Sequence, residues 1–248
     1  MSRLQVKIEK ELAEFKLAVN FSVDSEQTLV VIGPSGTGKS LLLQLLQGVI
    51  TPDHGTIQLG ERTLYNSEQG VDLPPYQRDI GLLFQDFALF PHLTVEQNVE
   101  YGLLGTVQRE ERLQLVANYL ERFSIQDVAR RYPAAISGGE SQRVAMARAM
   151  ITGPSLLLLD EPVSALDNEL QQQFFDLLRE VRGEYQIPVI LVTHDLYHVI
   201  KVSDELLILN RGRILQQGSW KELYRSPATS SVRKILGPIE RYVEVDRQ

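Results

Sequence analysis

Eight consecutive residues have the types and spacing that bind phosphate groups. They match G-x-x-x-x-G-K-[ST] and are Gly33, Pro34, Ser35, Gly36, Thr37, Gly38, Lys39 and Ser40. The glycines let the backbone curl, so that successive N–H groups point at phosphate oxygens. Lys39 can reach the terminal phosphates, and the Ser40 hydroxyl can ligate Mg²⁺. The loop lies between a strand pattern and a helix pattern, which favours a nucleotide site over an incidental glycine-rich turn.

Two acidic residues follow an apolar strand pattern further along the chain. Asp160 and Glu161 come directly after Leu156–Leu159 and before Pro162. In open α/β sheets, ligands bind at the carboxyl ends of the strands. We expect Asp160 to point at Mg²⁺ and Glu161 to orient or deprotonate an attacking water. Alone, the segment would equally fit a solvated strand end that turns at Pro162.

A second turn of small residues precedes another helix pattern. It consists of Ser137, Gly138, Gly139 and Glu140. The helix is predicted from about Gln142 to Met150, and its N-terminus can hold a phosphate. Either the chain binds two nucleotides, or this turn completes a site on another copy. Ser-Gly-Gly is also a common helix N-cap, so the motif alone leaves the choice open.

The strands that must position these residues have two kinds of pattern. Residues 4–8 and 15–23 alternate apolar and polar side chains, as half-buried strands do. Short continuous apolar runs are typical of strands that are buried on both faces of a parallel sheet. They occur at 29–32, 80–84, 156–159, 189–192 and 206–209. Helix patterns between them, including 41–47 and 168–185, predict a doubly wound α/β core.

Strand patterns are missing between residues 88 and 153. Thr94 and Gln97 form a possible capping box there, and apolar residues follow at helical spacing. We therefore predict a helical subdomain that is inserted into the α/β core. The predicted organisation is one domain over 1–248, with the core at 1–87 and 154–235 and the helical subdomain at 88–153.

The composition excludes several classes of protein. With 43% apolar and 23% charged residues among 248, the chain can bury a core and is not a disordered or fibrous protein. The formal charge of −7 argues against a protein that grips nucleic acid. The absence of cysteine excludes disulfides, thiol catalysis and Cys-ligated metals. Apolar runs stay well below the roughly 20 residues of a spanning helix, and no signal peptide is evident.

The second turn, residues 137–140, is followed by residues 142–145 and 147–149. Together they closely resemble the signature motif of ATP-binding-cassette (ABC) ATPases. Gln85 resembles the Q-loop of that family, Ser164–Asp167 the D-loop and His194 the switch histidine. The resemblance extends over about residues 5–235. It implies an α/β P-loop NTPase (RecA-like) core with an ABC β-subdomain and an inserted helical subdomain.

The resemblance also implies roles for these residues. ABC ATPases close as head-to-tail homodimers on two ATP molecules, with the signature turn of one chain against the nucleotide of the other. His194 would then hold the γ-phosphate and the attacking water, and Asp167 would belong to the D-loop. The implied catalytic residues are Glu161, His194 and Lys39, and the implied Mg²⁺ ligands are Ser40, Gln85 and Asp160.

Two positions keep an alternative interpretation. Phe15 is the best candidate for stacking on adenine, but its alternation with Leu17 equally fits a core strand. His194 and His198 are four residues apart and could be called metal ligands, although no third ligand is evident.

Residues 84–95 and 217–237 resemble bacterial importer ATPases. In such importers the surface near Phe87–His92 receives a coupling helix from a separate membrane permease, and a solute-binding protein is an indirect partner. Residues 65–75 look most like molybdate- and tungstate-type ATPases, with the sulfate type close behind. Too few residues follow Gly218 for the β-rich regulatory domain of many relatives, so we expect none.

The sequence therefore predicts an ATPase subunit that uses ATP and Mg²⁺ to energise oxyanion import. We expect it to be peripheral, at the cytoplasmic face of the inner membrane, soluble when isolated and without a nucleic-acid partner. One alternative is a cassette for another solute, such as sulfate, iron, a polyamine or a sugar. The others are a chromosome- or ribosome-type ABC ATPase and a nucleotide-gated binding module without turnover.

Overall fold

A computed structural model describes residues 3–103, 105, 107–163, 167–196 and 201–237 of the chain. Its strands are β1 (Leu4–Glu11), β2 (Lys16–Val23), β3 (Thr28–Ile32), β4 (His54–Leu59), β5 (Arg62–Asn66), β6 (Val71–Asp72), β7 (Ile80–Leu83), β8 (Leu156–Asp160), β9 (Val189–Val192), β10 (Glu205–Asn210) and β11 (Arg213–Gly218). The helices described over their full length are α1 (Lys39–Gln47), α2 (Val95–Glu100), α3 (Arg109–Arg122), α4 (Gly138–Met150), α5 (Asn168–Tyr185), α6 (Trp220–Arg225) and α7 (Ser230–Leu236). Within the described ranges, no helix combines the length and apolar character that crossing a membrane requires.

The described strands form one sheet with two distinct halves. Its order is β6-β5-β4-β1-β2-β11-β10-β3-β9-β8-β7. Strands β6 to β2 pair antiparallel, whereas β10, β3, β9, β8 and β7 pair parallel. The halves meet where β11 lies parallel to β2, and there a single residue pair, Arg213 with Ala18, is in register. The two kinds of strand pattern in the sequence correspond to these two halves.

The parallel strands in the centre are buried on both faces, as their continuous apolar runs predict. Alternate residues of β8 enter different cores. Leu157 and Leu159 pack in one core together with residues of α4 and α5, and Leu156 and Leu158 pack in the other with residues of α1. Because both faces are covered, the ligand-accessible part of this half is the carboxyl edge of its strands, where Asp160 ends β8.

The region between residues 88 and 153 contains helices and no strand within its described residues. Thr94 and Gln97 form the expected capping box at the start of α2. The start of α4 differs from the predicted Gln142: the helix begins at Gly138, because Ser137 is its N-cap and Glu140 completes a second capping box. The two glycines of the second turn therefore form the first helical turn. The boundaries of a helical subdomain at 88–153 stay a prediction.

Arg78 links the far end of α1 to the antiparallel half. Its guanidinium is fully buried and donates to the carbonyl oxygens of Leu45 and Leu46, in the last turn of α1, at 2.9 and 2.8 Å. It also donates to Leu73 O and pairs with Asp72 at 2.9 Å. A cation at a helix C-terminus offsets the negative end of the helix dipole. Arg78 thus holds α1, which carries the phosphate loop at its other end.

Replacing Arg78 with alanine removes the guanidinium donor from the carbonyl groups of Leu45, Leu46 and Leu73, of which Leu45 O still accepts from the Gly48 N–H at 3.2 Å. We expect Arg78→Ala to lower the free energy of unfolding by about 3 kcal/mol or more, as measured by urea denaturation. Arg62→Ala is the control, because Arg62 pairs with Asp79 at an exposed position, and its loss should cost about 1 kcal/mol or less. Equal losses in the two variants would contradict the role assigned to Arg78.

Candidate functional site

The phosphate loop connects β3 to α1 and is closed by its own lysine. Lys39 Nζ donates to the carbonyl oxygens of Gly33 and Pro34 at 2.8 and 3.0 Å, and the Thr37 hydroxyl donates to Pro34 O at 2.9 Å. Gly38, the N-cap of α1, has a φ of 104°, which a residue with a Cβ rarely adopts. Burial lowers the pKa of Lys39, and the nearby Glu161 and Asp160 oppose that shift. The loop therefore has the curled form that its sequence predicts.

The turn between β10 and β11 packs against the back of the loop. The Gly212 N–H donates to Thr37 O at 3.0 Å. A methyl group added at Gly33 would overlap the carbonyl oxygen of Leu209. The half-buried Phe15 lies beside both Gly38 and Gly212, since their Cβ positions would be 3.3 and 2.7 Å from its ring. Phe15 also packs against the core that contains Leu156, Leu158 and residues of α1, so the structure is compatible with both interpretations of this residue.

Asp160 and Glu161 lie at the carboxyl end of β8, as predicted. Burial and the neighbouring Glu161 raise the pKa of Asp160, and Lys39 lowers it. Glu161 has a φ of 47°, and its N–H donates to Val192 O at 2.9 Å. Its backbone thus adopts a strained left-handed conformation, of the kind that concentrates at functional sites.

His194 follows β9 and contacts Glu161. The distance from His194 Nδ1 to Glu161 Oε2 is 2.9 Å, and the His194 side chain is 67% exposed. The two residues are brought together because β8 and β9 are parallel neighbours, with Asp160 opposite Val192. The sequence predicted a role for each residue but not the contact between them.

A cavity of about 490 Å³ joins these elements. It is lined by Ile32, Gly33, Pro34, Ser35, Glu161, His194, Leu196 and Ile235. Leu196 and Ile235 were missed by the sequence analysis, because an apolar residue in a helix pattern is not distinguishable from an ordinary core residue. The structure thus brings the phosphate loop, the second acid and the histidine to one concave surface.

Several predicted site residues lie outside the lining of this cavity. Gln85 follows β7 in a turn, and both Gln85 and Ser40 are exposed. Asp167 is the N-cap of α5, where its side chain accepts from Leu170 N at 2.9 Å. The D-loop residues 164–166 and His198 are outside the described residues. Over the described ranges, no group of three or more His, Asp or Glu side chains could hold a metal ion together.

The second turn is also absent from the cavity lining. The Ser137 N–H and hydroxyl donate to Glu140 Oε2 at 2.7 and 2.8 Å, and these hydrogen bonds lower the pKa of Glu140. The Gly138 backbone is exposed at the start of α4. The turn is therefore an exposed helix N-terminus outside the lining of this cavity.

Comparison with known proteins identifies the family. The sequence profile of the ABC transporter family matches residues 17–164. The structure of cbiO1 from Clostridium perfringens, described as part of the ABC transporter complex cbiONQ, has a TM-score of 0.79 and 27% sequence identity, and covers 99% of this chain and 98% of that chain. The chain belongs to the ABC transporter family. The predicted family and P-loop fold class are confirmed.

Related sequences include import ATP-binding proteins. The molybdate/tungstate import ATP-binding protein WtpC of Archaeoglobus fulgidus is 42% identical over 221 residues, 89% of this chain and 89% of that protein. The molybdenum import ATP-binding protein ModC of Haemophilus ducreyi is 40% identical over 86% of this chain, which spans 59% of the length of that relative. The sulfate/thiosulfate import ATP-binding protein CysA of Mesostigma viride is 36% identical over 97% of this chain and 68% of its own length.

The close approach at Gly33 yields a prediction for the loop. Gly33→Ala should displace the loop from Leu209, lower the unfolding free energy by about 1–3 kcal/mol and weaken the binding of a fluorescent ATP analogue. Gly70→Ala is the matched control, because Gly70 has a φ of 67° with no atom near its Cβ position. It should cost about 1 kcal/mol of backbone strain and leave nucleotide affinity unchanged. Wild-type affinity in Gly33→Ala would contradict the prediction.

Proposed function

We propose that this chain is the ATP-hydrolysing subunit of an importer that moves molybdate or tungstate through a separate membrane permease. The observation that carries the ATPase proposal is the contact of Glu161 with His194 at the mouth of the phosphate-loop cavity. The solute is inferred from the relative WtpC, which matches over 89% of both chains. CysA supports sulfate as a second candidate, at 36% identity.

Nucleotide binding rests on the phosphate loop. Its curled backbone and the N-terminus of α1 direct N–H groups at the phosphates. Lys39 already donates to carbonyl oxygens of the loop and would exchange them for phosphate oxygens of higher negative charge. Phe15 lies beside Gly38 at the edge of the loop, where its ring is available to the adenine base.

The three predicted magnesium ligands carry oxygen donors of the kind that fit this ion. Ser40, Gln85 and Asp160 offer hydroxyl, amide and carboxylate oxygens, which are the donors that Mg²⁺ prefers. Asp160 is a partly buried carboxylate whose pKa is raised by burial, so a cation beside it would offset that penalty. Bound there, Mg²⁺ would neutralise charge on the terminal phosphates.

Hydrolysis is assigned to Glu161 and His194. One carboxylate oxygen of Glu161 contacts His194, which leaves the other to orient a water and accept its proton. His194 is largely exposed to the cavity side and would hold the γ-phosphate and the attacking water. The apolar side chains of Leu196 and Ile235 line the same cavity and limit the access of further water.

The open signature turn, residues 137–140, supports a head-to-tail homodimer. This turn lies at the exposed N-terminus of α4, where Ser137 caps the Glu140 N–H, and it does not line the cavity of its own chain. In the proposed dimer it binds the nucleotide held by the partner chain, and Asp167 lies near the same interface. The site would then be complete only when two chains close on ATP.

A groove of about 360 Å³ is the proposed docking site for the permease. Phe84, Ala88, Phe90, Tyr101 and Arg148 are among its lining residues, and Phe84 and Tyr101 are 45% and 48% exposed. Exposed aromatic side chains around a groove favour a protein partner. The chain would thus be peripheral, at the cytoplasmic face of the membrane, with a solute-binding protein as an indirect partner.

The base assignment is tested with Glu161→Gln. This variant keeps the size and the contact with His194 but cannot accept the proton, so we expect kcat to fall about 100-fold or more while ATP still binds. Phosphate release gives kcat, and size-exclusion chromatography with ATP should show an accumulated dimer. Wild-type turnover in this variant would remove Glu161 from the mechanism.

The phosphate-loop assignment is tested with Lys39→Ala. Loss of the charge–phosphate contact should abolish measurable ATP binding by a fluorescent analogue, without unfolding the chain. Lys221→Ala, at an exposed position of α6, is the control and should bind as the wild type does. Retained ATP affinity in Lys39→Ala would disprove the assignment.

A further inference from the structure

The segment that contains the proposed general base is held by side-chain amides. Glu161, Pro162 and Val163 follow the end of β8, and Pro162 and Val163 are buried. Gln171 of α5 donates from its Nε2 to Val163 O at 3.1 Å. Gln142 of α4 approaches Pro162 O at 3.4 Å, which is long for an N–H···O hydrogen bond. Gln171 therefore gives the better-formed of these two hydrogen bonds.

Glu161 needs such support because its backbone conformation is unfavourable on its own. Its φ of 47° lies in the left-handed region, and the ring of Pro162 favours an extended backbone in the residue before it. A conformation of this kind persists only where the surrounding structure over-determines it. The Glu161 N–H donates to Val192 O of β9 at 2.9 Å, which fixes one side of the segment. Pro162 has no N–H, so support beyond Glu161 has to come through carbonyl groups or side chains.

Gln171 belongs to a helix that is itself firmly packed. Its N–H donates to Asp167 O at 3.0 Å in the first turn of α5, and the Asp167 side chain caps the same turn at Leu170 N. Four further residues of α5 are buried in the core, namely Phe174, Phe175, Leu178 and Val181. The amide of Gln171 thus donates from a fixed position, and a shift of Val163 away from α5 breaks the hydrogen bond.

The next residue of α5 is also a glutamine but has different contacts. Gln172 is exposed, and its Nε2 donates to Asp176 Oδ1 at 3.1 Å within the same helix. Gln171 is half-buried and donates to Val163 O, outside the helix. The two residues have the same intrinsic helix propensity, so they form a matched pair that differs in what the amide contacts.

The position of the Glu161 carboxylate depends on the segment that follows it. Val163 lies only two residues beyond Glu161, so a displaced Val163 carbonyl also changes the backbone at Glu161. Glu161 Oε2 is 2.9 Å from His194 Nδ1, and both residues line the cavity at the phosphate loop. A general base has to lie within hydrogen-bond reach of the proton that it accepts. A misplacement of about 1 Å can lower a rate about 100-fold.

We propose that Gln171 is a positioning residue for Glu161. Its amide holds Val163 O, and this hydrogen bond keeps Glu161 in the left-handed conformation that directs its carboxylate at His194 and the attacking water. Gln171 does not line the cavity, so it acts through Glu161 rather than on the nucleotide. The proposal rests on the proposed function, in which Glu161 is the general base, and it adds a residue of α5 to the machinery of that site.

The test replaces the amide of Gln171 without changing the length of the side chain. Gln171→Met removes the donor, and Gln171→Glu places a carboxylate oxygen against Val163 O. We expect kcat for ATP hydrolysis to fall about tenfold in Gln171→Met and further in Gln171→Glu. The affinity for a fluorescent ATP analogue should stay within about twofold, because the phosphate loop is untouched. Gln172→Met and Gln172→Glu are the matched controls and should keep the wild-type kcat.

A double-mutant cycle separates the positioning of Glu161 from a general loss of structure. If Gln171 acts through Glu161, Gln171→Met should lower kcat by less than about twofold in a chain that already carries Glu161→Gln. An equal tenfold loss in both backgrounds would overturn the proposal, and so would the wild-type kcat in both Gln171 variants. If Gln171→Glu does not fold, Gln171→Met carries the test.

Amide hydrogen exchange tests the same hydrogen bond without turnover. In the full chain, exchange of the Glu161 N–H, followed by NMR, should be about tenfold faster in Gln171→Met than in Gln172→Met, because the segment opens more often. Equal exchange rates in the two variants would overturn the proposal. A wild-type chain without ATPase activity would instead refute the proposed function, and the exchange rates would still decide whether Gln171 holds the segment that contains Glu161.

Discussion

The site depends on the close approach of the phosphate loop to the end of β10. At Gly33 the loop backbone lies so near the Leu209 carbonyl that no Cβ fits between them, and the Gly212 N–H fixes the loop from the next turn. These contacts hold the N-terminus of α1 opposite the ends of β8 and β9. The positions of Glu161 and His194 relative to the loop follow from the parallel register of those strands.

Charge within the site is balanced locally. Burial lowers the pKa of Lys39 and raises that of Asp160, and each of the two groups opposes the shift of the other. This arrangement explains how a chain with a formal charge of −7 can bind phosphates. Backbone N–H groups and one buried cation supply the attraction where it is needed, so a basic surface is unnecessary.

Local patterns in the sequence predicted the parts of the fold whose causes are local. The phosphate loop, the central apolar strands and the capping box of α2 follow from residue types within a few positions of one another. The predicted start of α4 at about Gln142 is wrong: glycine disfavours helices, but Ser137 caps a helix that includes the two glycines of the signature turn.

The contacts that depend on strand order and helix packing could not be predicted in this way. Glu161 contacts His194, and Arg148 donates to the carbonyl groups of Phe87 and Ala88, across long stretches of chain. Ile235 reaches the cavity from the last described helix with no motif to mark it.

The single residue pair that joins the two halves of the sheet has a mechanical consequence as well. Phe15 lies directly before β2 of the antiparallel half, and the phosphate loop follows β3 of the parallel half. A ligand that touches both therefore acts as a noncovalent cross-link, and its binding energy adds to the stability of the sheet.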